Sequence, residues 1–419
     1  MIDISFLRKN LKEAIKLLSD RVSEKDIKEV ILADKKWRGV KQQLDDLLEQ
    51  RNKLSKMAKS DESARMKVKK LKKKLESLKE DEQRLKKEFE VLINALPNFP
   101  QAETPTGKTD RNNVIIKTEG VKPTFKFVPK DYLSLLNSHA DINLEEAAKS
   151  SGARFVFMKG IVAKLEFALL QFAVDHLSFE NFELVFPPTI LKKQTMQAMG
   201  YLDQAGEQEI FHLQNPIEKG AQFVLAGTAE QSLGGMLIGK IFSHKELPKR
   251  YMAFTPCYRR EAGSYGKDTR GIIRLHQFEK LELFTITTPD QSNKEHEFIL
   301  AQQEFLMKQL RIPYQVVDLA SGDLGLPSAR TFDIESYLPG QNNGKGEYRE
   351  THSTSNCTDF QARRLHAKFQ TADGEKQLIH TVNGTAFAMQ RIIIAIMENY
   401  QQEDGSFRIP EVLNKYFSK

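Results

Sequence analysis

Arg259 and Glu261 stand close together in a segment whose residue types suit phosphate binding. Residues 252–261 follow the two-residue period of a β-strand, and strict alternation would place Arg259 and Glu261 on one face. A guanidinium group matches phosphate oxygens because it donates several hydrogen bonds in one fixed plane. The glycine-bearing basic stretch at 262–270 predicts a loop that is free to contact a ligand.

A second strand-like run covers residues 270–284 and would carry Arg274, Phe278 and Glu282 on a shared face. Phe278 and Glu282 are four positions apart, which corresponds to about 13 Å along a strand. An aromatic ring can stack on a purine and a carboxylate can hold an ammonium group, so this spacing fits the length of an aminoacyl-adenylate. For any single arginine–glutamate pair, a cross-strand ion pair is the structural alternative.

Two further segments carry oxygen-bearing side chains at suggestive spacings. Thr228 and Glu230 share a face ahead of a helix-like run at 231–241, although a helix cap explains the threonine equally well. Glu350 and Ser353 offer two hard oxygen ligands of the kind that Mg²⁺ accepts. Strict strand alternation would put them on opposite faces, so a bulge or turn is required to bring them together.

Arg391 lies within an apolar helical pattern at 386–400, which Asn383 and Thr385 are predicted to open. An arginine at such a position is costly to bury without a partner. It therefore indicates either a salt bridge to a carboxylate or a clamp on terminal phosphates.

The order of elements in the second part of the chain predicts an α+β fold. Residues 145–149 and 157–176 predict helices, and alternating strand-like runs with loops follow them. This mixture favours an antiparallel β-sheet flanked by helices over a doubly wound parallel sheet. The sequence contains neither GxGxxG nor GxxxxGK[ST], the two commonest phosphate-binding turns.

An apolar seam near the N-terminus predicts two long helices that form an antiparallel α-helical coiled-coil hairpin, because its spacing alternates between three and four residues. The seam contains Trp37, Val40, Leu44, Leu47 and Leu54, and then Val68, Leu71, Leu75, Leu78, Leu85, Phe89, Leu92 and Leu96, with Arg51 and Glu82 occupying two of its slots. Residues 59–64 are polar and predict the turn. Prolines 97, 100 and 105 end the second helix, so the predicted domains are residues 1–105 and 106–419.

Positive charge is concentrated on this hairpin. Residues 51–87 contain 15 Lys/Arg and 6 Asp/Glu, whereas the whole chain has a formal net charge of +7. A solvated charged face or a coiled-coil partner surface is the alternative, but so large an excess of one sign favours a nucleic-acid backbone. The basic positions are Lys53, Lys56, Lys59, Arg65, Lys67, Lys69, Lys70, Lys72, Lys73 and Lys74.

Composition excludes several other classes of protein. Cys257 and Cys357 are the two cysteines, and their separation predicts neither a disulfide framework nor a zinc site. No run reaches the roughly 18 apolar residues that a membrane span needs, and the N-terminus lacks a hydrophobic signal core. A reduced, cytoplasmic location without membrane contact is expected.

Five motifs, in order, resemble those of class II aminoacyl-tRNA synthetases, and specifically the seryl-tRNA synthetases, over essentially the whole chain. NFELVFPP, with Phe182, Val185 and Pro188, is similar to the first class II motif, which belongs to the dimer interface in that family. TPCYRREAG with DTRGIIRLHQFEKLEL is similar to the second motif, and GTAFAMQRIIIAIMENYQQEDGSFRIPEVL to the third. GTAE and SNCTDFQARR are similar to segments peculiar to the seryl enzymes.

The resemblance implies a role for each matching residue. Arg259 would hold the α-phosphate, Glu261 would contact adenine, Phe278 would stack on it and Arg391 would bind the γ-phosphate. The implied serine-binding residues are Thr228, Ala229, Glu230, Arg259, Glu282, Asn383 and Thr385. The implied ATP-binding residues are Arg259, Arg260, Glu261, Leu275, Phe278, Glu350, Thr351, His352, Ser353 and Arg391, with Arg259 and Arg391 catalytic and with Glu350 and Ser353 as the ligands of Mg²⁺.

The resemblance also implies the reaction and its partners. Serine would be activated by ATP to seryl-adenylate and then transferred to tRNA(Ser), with tRNA(Sec) as a further candidate substrate. The hairpin would grip the tRNA through Lys53, Lys56, Arg65, Lys69, Lys70 and Lys73, and the chain would form a homodimer through the region of Phe182 to Pro188. The cysteine and glutamate ligands of the zinc-containing archaeal type are not apparent, so no zinc is expected.

Thr351 and His352 depart from the family pattern, which has Ile or Val followed by Ser there, and Thr385 stands where a serine is common. Two alternatives stay open: a synthetase-like ligase that loads serine or another small amino acid onto a carrier protein, and a catalytically silent homologue that acts as an RNA-binding or dimeric interaction protein. The basic hairpin argues against the first. The retained charged residues, Arg259 and Glu282 among them, argue against the second.

Overall fold

A computed structural model describes residues 1–57, 62–138, 141–202, 206–215, 217–262 and 271–417, without the side chains of residues 64, 65, 137 and 138. The chain divides into two compact units, Met1–Phe99 and Pro100–Lys419. The predicted boundary at residue 105 lies a few residues beyond this division. The predicted loop at 263–270 and the predicted turn at 59–61 lie outside the described residues.

The first unit is helical. Its helices are α1 (Ile4–Lys9), α2 (Leu11–Leu17), α3 (Glu24–Met57) and α4 (Glu62–Ala95). Helices α3 and α4 each span 34 residues and pack against one another, as the heptad seam predicts. Helix α4 already begins at Glu62, so the part of the predicted turn at 62–64 is helical.

Trp37 and Phe89 explain how the seam tolerates a glutamate. Their rings stack with centroids 5.4 Å apart. The indole nitrogen of Trp37 donates a hydrogen bond of 2.8 Å to Glu82, the residue that interrupts the apolar pattern. Leu44 and Leu75 are buried in the same seam. The interruption is therefore a satisfied polar contact between the two helices.

The second unit combines a large sheet with flanking helices. Its helices are α5 (Tyr132–Ser138), α6 (Leu144–Ser151), α7 (Gly160–Phe179), α8 (Lys193–Met199), α9 (Gly206–Glu209), α10 (Ala229–Gly235), α11 (Ser292–Gln309), α12 (Gln341–Gly344), α13 (Phe360–Leu365) and α14 (Met389–Asn399). Its strands are β1 (Val114–Glu119), β2 (Ile142–Asn143), β3 (Phe157–Met158), β4 (Glu183–Val185), β5 (Ile190–Lys192), β6 (Phe223–Leu225), β7 (Ile241–Ser243), β8 (Lys249–Tyr258), β9 (Gln277–Thr287), β10 (Tyr314–Asp318), β11 (Arg330–Leu338), β12 (Glu347–Thr358), β13 (Lys368–Gln370), β14 (Lys376–Leu378) and β15 (His380–Ala388).

Eight of these strands form one sheet in the order β1-β10-β11-β12-β15-β9-β8-β4. Every neighbouring pair is antiparallel except β4 and β8, which are parallel. Helix α11 packs on β12 and β15, while α7 and α14 contribute apolar faces to the main core. This confirms the predicted α+β architecture of an antiparallel sheet flanked by helices.

Several predicted element boundaries are wrong. Strand β8 ends at Tyr258, and β9 begins only at Gln277, so neither predicted strand reaches as far as the sequence alternation indicated. Helix α10 ends at Gly235, and the last residue of the predicted helical run at 231–241 starts β7 instead. Asn383 and Thr385 lie inside β15 and do not open the following helix.

None of the helices in the described part of the chain is long and apolar enough to cross a membrane.

Candidate active site

The centre of the large sheet brings Glu282 and Thr385 face to face. Glu282 of β9 is the register partner of Thr385 of β15 on one side and of Ala253 of β8 on the other. The Thr385 hydroxyl donates to Glu282 Oε2 at 3.3 Å. The register between β9 and β15 shifts between Thr385 and Phe387, so Ala386 is an extra residue directly beside this pair.

Glu230 is a second buried carboxylate near Glu282. Its Oε2 accepts a hydrogen bond of 2.5 Å from the Tyr201 hydroxyl, and its Oε1 accepts one of 2.6 Å from Gln361 Nε2. Burial, and then the negative charge of Glu282, raise the pKa of Glu230 to about 7. The hydrogen-bond donors work in the opposite direction because they favour the charged carboxylate.

Thr228 and Ala229 begin α10 next to Glu230. Thr228 is the N-cap residue, and its hydroxyl accepts a weak hydrogen bond from the Glu230 amide at 3.4 Å. The helix-cap explanation of this threonine therefore holds in the structure. The cap fixes the backbone at the start of α10, where Glu230 lies.

Arg259 lies just beyond the end of β8 and reaches over Phe278. Its guanidinium carbon is 5.3 Å from the centre of the Phe278 ring, and its Nε donates to the Gly227 carbonyl at 3.1 Å. His276 holds the backbone of Arg259, because the Arg259 amide donates a hydrogen bond of 3.0 Å to the His276 carbonyl oxygen. A guanidinium group and an aromatic ring are thus adjacent.

Glu261 is positioned by a local backbone feature and not by strand alternation. It lies outside β8 with φ of 50°, a conformation that is uncommon for a residue with a side chain. Its carboxylate forms an ion pair of 2.7 Å with Arg274, which itself precedes β9. Arg259, Glu261 and Arg274 all lie outside the strands, so the prediction that strand alternation places Arg259 beside Glu261 and Arg274 beside Phe278 is wrong. Phe278 and Glu282 do share a face of β9.

Arg391 sits in the first turn of α14 and is paired with Glu350. Nη1 of Arg391 lies 3.0 Å from Glu350 Oε1 and also donates to the Glu350 carbonyl at 3.1 Å. Its pKa is raised, first by the charge of Glu350. Desolvation by the surrounding protein raises the pKa of Glu350. The charge and the hydrogen bond of Arg391 have the larger combined effect, so the pKa of Glu350 is lowered.

A bulge in β12 brings Glu350 and Ser353 to the same face, as their spacing requires. Glu335 pairs with Glu350 and Asp333 pairs with Ser353, while Thr351 is the extra residue between them. Within the described residues, Oδ1 of Asp333 is buried without a hydrogen-bond partner. Burial, and then the charge of Glu350, raise the pKa of Asp333. These carboxylate and hydroxyl oxygens are donors that suit Mg²⁺.

No group of three or more His, Cys, Asp or Glu side chains in the described ranges is arranged to hold a metal ion. Glu350 and Ser353 present two oxygen-bearing side chains on one face of β12.

Thr351 and His352 are both buried. The Thr351 hydroxyl lies 2.7 Å from the Ser336 hydroxyl and 2.9 Å from Nδ1 of His352. His352 pairs with Ile334, so its ring lies on the opposite face from Glu350 and Ser353, 5.9 Å from the Phe387 ring. Burial lowers the pKa of His352 to about 3, which keeps it neutral. Any contact of His352 with ATP would have to come from its backbone.

The remaining predicted ligand-binding positions differ in exposure. Leu275 is buried, Asn383 is nearly so and donates to Cys357 Sγ at 3.5 Å, and Arg260 is exposed. Lys53, Lys56, Lys69, Lys70 and Lys73 are exposed on the hairpin helices, and the side chain of Arg65 lies outside the described residues. Lys53 also forms an exposed ion pair with Glu49 at 2.7 Å.

The segment around Phe182 lies at an end strand of the large sheet. Phe182 is buried, whereas Phe186 is 77% exposed. Phe167 and Phe179 of the adjacent helix α7 are 74% and 87% exposed. Large exposed apolar side chains such as these can mark an interaction surface.

Sequence reasoning missed several residues that contact the predicted site residues, among them Tyr201, Gln361 and Lys280. Tyr201 and Gln361 hold Glu230. Gln361 lies in the SNCTDFQARR motif, which could have identified it, whereas nothing in the sequence context of Tyr201 indicates this role. Lys280 forms an ion pair with Glu282 and donates to Thr385 Oγ1 at 3.4 Å. Its position between Phe278 and Glu282 on the same strand face could have identified it.

Two protein families match separate parts of the chain. Residues 1–100 match the family described as seryl-tRNA synthetase N-terminal domain. Residues 211–400 match the family described as tRNA synthetase class II core domain (G, H, P, S and T).

Full-length relatives agree with these two matches. The chain is 40% identical to the serine–tRNA ligase of Dictyoglomus thermophilum over 99% of its own length and 98% of that protein. It is similar to the crystal structure of seryl-tRNA synthetase from Pyrococcus horikoshii complexed with ATP, with a TM-score of 0.88, 33% identity and coverage of 99% and 98% of the two chains. It is also similar to the cytoplasmic serine–tRNA ligase of Naegleria fowleri in complex with AMP, with a TM-score of 0.85, 28% identity and coverage of 99% and 97%.

Proposed function

The chain belongs to the seryl-tRNA synthetase family, and from that premise we propose how its own residues carry out the ATP-dependent attachment of L-serine to tRNA. The reaction has two steps. The serine carboxylate attacks the α-phosphorus of ATP to give seryl-adenylate and diphosphate, and a terminal ribose hydroxyl of tRNA then takes the seryl group and releases AMP. The observation that carries the assignment of residues is the direct pairing of Glu282 with Thr385, with a second buried carboxylate, Glu230, alongside.

Serine is proposed to bind where these two carboxylates meet. Its ammonium group needs an acceptor that is ionised at neutral pH, and its hydroxyl needs a polar partner. Glu282 and Glu230 are candidates for the first role and Thr385 for the second. The hydrogen bond from Thr385 to Glu282 and the burial of all three side chains support this. Thr228, Ala229 and Asn383 complete the proposed pocket.

ATP is proposed to bind along Arg259 and Phe278. The adenine would stack on Phe278, and Arg259, which already lies over that ring, would hold the α-phosphate and the serine carboxylate in line for attack. Glu261, Arg260 and Leu275 would contact the base, while Thr351, His352 and Ser353 would line the phosphate end. The guanidinium of Arg259 then stabilises the negative charge that develops on the transferring phosphate.

Arg391 is proposed to bind the terminal phosphate. In the described structure it is paired with Glu350, so a phosphate would either share this arginine or replace the carboxylate as its partner. Glu350 and Ser353 would hold Mg²⁺, which when bound neutralises part of the charge on the phosphate oxygens. The bulge at Thr351, which places both residues on one face, supports this pairing of ligands.

The hairpin of α3 and α4 is proposed to bind tRNA(Ser) through its exposed lysines and Arg65. A backbone-directed interaction of this kind is electrostatic and reads shape more than base sequence. tRNA(Sec) would be a second substrate if it presents the same shape. Deleting residues 53–74 and closing the turn is expected to reduce aminoacylation steeply while serine-dependent ATP–diphosphate exchange persists. Equal charging of tRNA by the shortened protein would refute this role.

A homodimer and a cytoplasmic location complete the proposal. The exposed rings of Phe167, Phe179 and Phe186 support an interface around the Phe182 to Pro188 segment. Cys257 and Cys357 are both free and buried, which is compatible with a reducing compartment.

The proposal is tested by Arg259→Ala in ATP–diphosphate exchange with each of the twenty amino acids. The wild-type protein should exchange with serine, and the variant should lose this activity by about a hundredfold or more, as expected when a donor to the developing charge is removed. Arg408→Ala is the matched control, because Arg408 is exposed and contacts only Gln402 among the residues for which a side-chain contact is described. Near-normal exchange by the Arg259 variant would overturn the assignment.

A further inference from the structure

Lys280 is a buried lysine on the face of β9 that carries Phe278 and Glu282. Its side chain is only 8% exposed. Lysine is rarely buried unless its ammonium group is paired, because taking the charge out of water is costly. Here Nζ forms a close ion pair with Glu282 Oε2 and donates to Thr385 Oγ1 at 3.4 Å. Both partners belong to the proposed serine pocket.

Lys280 sets the charge of that pocket. Glu230 and Glu282 are each only 2% exposed, and the charge of Glu282 acts on Glu230, while Lys280 acts on it in the opposite direction. The ion pair with Lys280 offsets the charge of Glu282. Without Lys280, Glu282 would lose this offset beside a second buried carboxylate.

Lys280 also determines which further hydrogen bonds the Thr385 hydroxyl can form. That hydroxyl has one hydrogen and two lone pairs. Its hydrogen is donated to Glu282 Oε2, and one lone pair accepts from Lys280. The other lone pair is the only hydrogen-bonding capacity left. Thr385 can therefore receive a hydrogen bond from a ligand hydroxyl, but it has no hydrogen left to donate to one.

The two carboxylate oxygens of Glu282 also differ in their partners. Its Oε2 receives both Lys280 and Thr385, whereas Oε1 takes part in no side-chain hydrogen bond among the described residues. One oxygen of the carboxylate is thus held in place by the protein, and the other is left for a ligand. An ammonium group on the ligand would find a carboxylate oxygen that is already oriented.

We propose that Lys280 is a specificity-determining positioning residue, which makes Thr385 an acceptor for the substrate hydroxyl and turns Glu282 Oε1 toward the substrate ammonium. The inference rests on the proposed serine pocket. It assigns to Lys280 no contact with the reacting atoms. Its effect should therefore appear in the choice between serine and an amino acid without a hydroxyl, such as alanine, and not in the binding of ATP.

The test compares Lys280→Met and Lys280→Gln with the wild-type protein in ATP–diphosphate exchange, measuring kcat and KM for serine, alanine and ATP. Methionine keeps most of the apolar stem but removes both charge and donor. It should raise the KM for serine by about tenfold or more and reduce the serine-to-alanine ratio of kcat/KM by about tenfold, with the KM for ATP within about twofold of wild type. Glutamine retains a donor, so it should preserve more of that ratio while still raising the KM for serine.

Lys249→Met is the control. Lys249 lies on the neighbouring strand β8 and forms an ion pair of 3.5 Å with Glu246, away from Glu282 and Thr385. This variant should match wild type with every substrate. If Lys280→Met does not fold, Lys280→Gln decides the question through the KM for serine.

The proposal is overturned if the folded Lys280 variants keep the wild-type serine-to-alanine ratio and KM for serine, or if the KM for ATP rises in parallel with that for serine. Failure of the wild-type protein to exchange with serine would instead contradict the proposed function itself. The two failures are therefore distinguishable.

Discussion

Gly384 lies between Asn383 and Thr385 in β15, and its lack of a side chain allows α11 to approach the strand. A Cβ at this position would lie 2.5 Å from Ile299 Cγ2, 3.0 Å from Thr354 Oγ1 and 3.1 Å from Gln303 Nε2. Ordinary contacts between carbon atoms are about 3.5–4.0 Å, so Gly384→Ala requires a displacement of about 1 Å. Because Ile299 and Gly384 are both in packed secondary structure, neither can move without shifting its neighbours.

Two opposing effects set the magnitude of this change. Overpacking of a filled core costs about 1–3 kcal/mol. Replacing glycine by alanine also restricts the unfolded chain, which stabilises the folded state by about 0.4–1 kcal/mol where the backbone is compatible. We expect a net loss of about 1–2 kcal/mol in the free energy of unfolding of the second unit. A shift of about 1 Å at Thr385 should also reduce kcat/KM for serine by about tenfold to a hundredfold.

Urea unfolding followed by two signals can locate this loss. Trp37 is the only tryptophan of the chain and lies in the hairpin, so its fluorescence follows the first unit. Far-UV circular dichroism reports on both units. Gly384→Ala should lower the midpoint seen by circular dichroism and leave the fluorescence transition unchanged. Gly325→Ala is the matched control, because the nearest atom to its Cβ would be Ser328 Oγ at 3.6 Å.

A double-mutant cycle with Ile299→Ala identifies the cause. The alanine at 299 removes Cγ2 and costs about 2–5 kcal/mol by itself. If the clash with Cγ2 is the source of the damage, Gly384→Ala should cost much less in that background. An equal cost in both backgrounds, or a stability gain from Gly384→Ala alone, would refute the packing argument.

Three further predictions concern the pocket, the hairpin and the interface. Because the pKa of Glu230 is raised to about 7, this carboxylate is protonated in acid, and kcat/KM for serine should rise with pH and level off above about 7. The part of this rise that is due to Glu230 should be absent in Glu230→Gln. The same raised pKa means that the contribution of Glu230 to folding stability is lost as pH rises from 4.5 to about 7, which urea midpoints can check. Phe89→Ala should destabilise the hairpin by about 3 kcal/mol in Trp37 fluorescence and impair tRNA charging, whereas an unchanged fluorescence midpoint would contradict the seam. Phe186→Glu should lower the mass measured by sedimentation equilibrium, and an unaltered mass would argue against an interface at this residue.

The sequence predicts regular elements well where one periodicity operates over many residues. The heptad seam identifies both long helices because Leu44, Leu75 and Phe89 recur on one face, and tertiary contacts only reinforce that pattern. Strand parity likewise places Phe278 and Glu282 together, since both lie within β9. These predictions succeed because the position of a residue in the period alone decides which face of the helix or strand it occupies.

The same reasoning fails at positions where a regular strand or helix ends, because local backbone geometry and tertiary contacts decide the conformation there. Strand parity predicts the direction of the Glu261 side chain, but β8 stops at Tyr258 and the left-handed backbone of Glu261 sets the direction of its carboxylate. Asn383 and Thr385 have residue types typical of a helix start, yet they are held in β15 by pairing with β9 and β12. Long-range pairing of this kind is not visible in a local pattern.

The proposed ligand contacts depend on these departures from regularity. Without the extra residue at Thr351, Glu350 and Ser353 would face opposite sides of β12, and no pair of oxygens could be offered to one ion. The second bulge, at Ala386, stands directly after Thr385, where the strand must keep that hydroxyl on Glu282 and still continue into α14 and Arg391. A regular sheet would bury or separate these groups. The sheet therefore supplies a rigid frame, and its few irregular residues decide which side chains can act together.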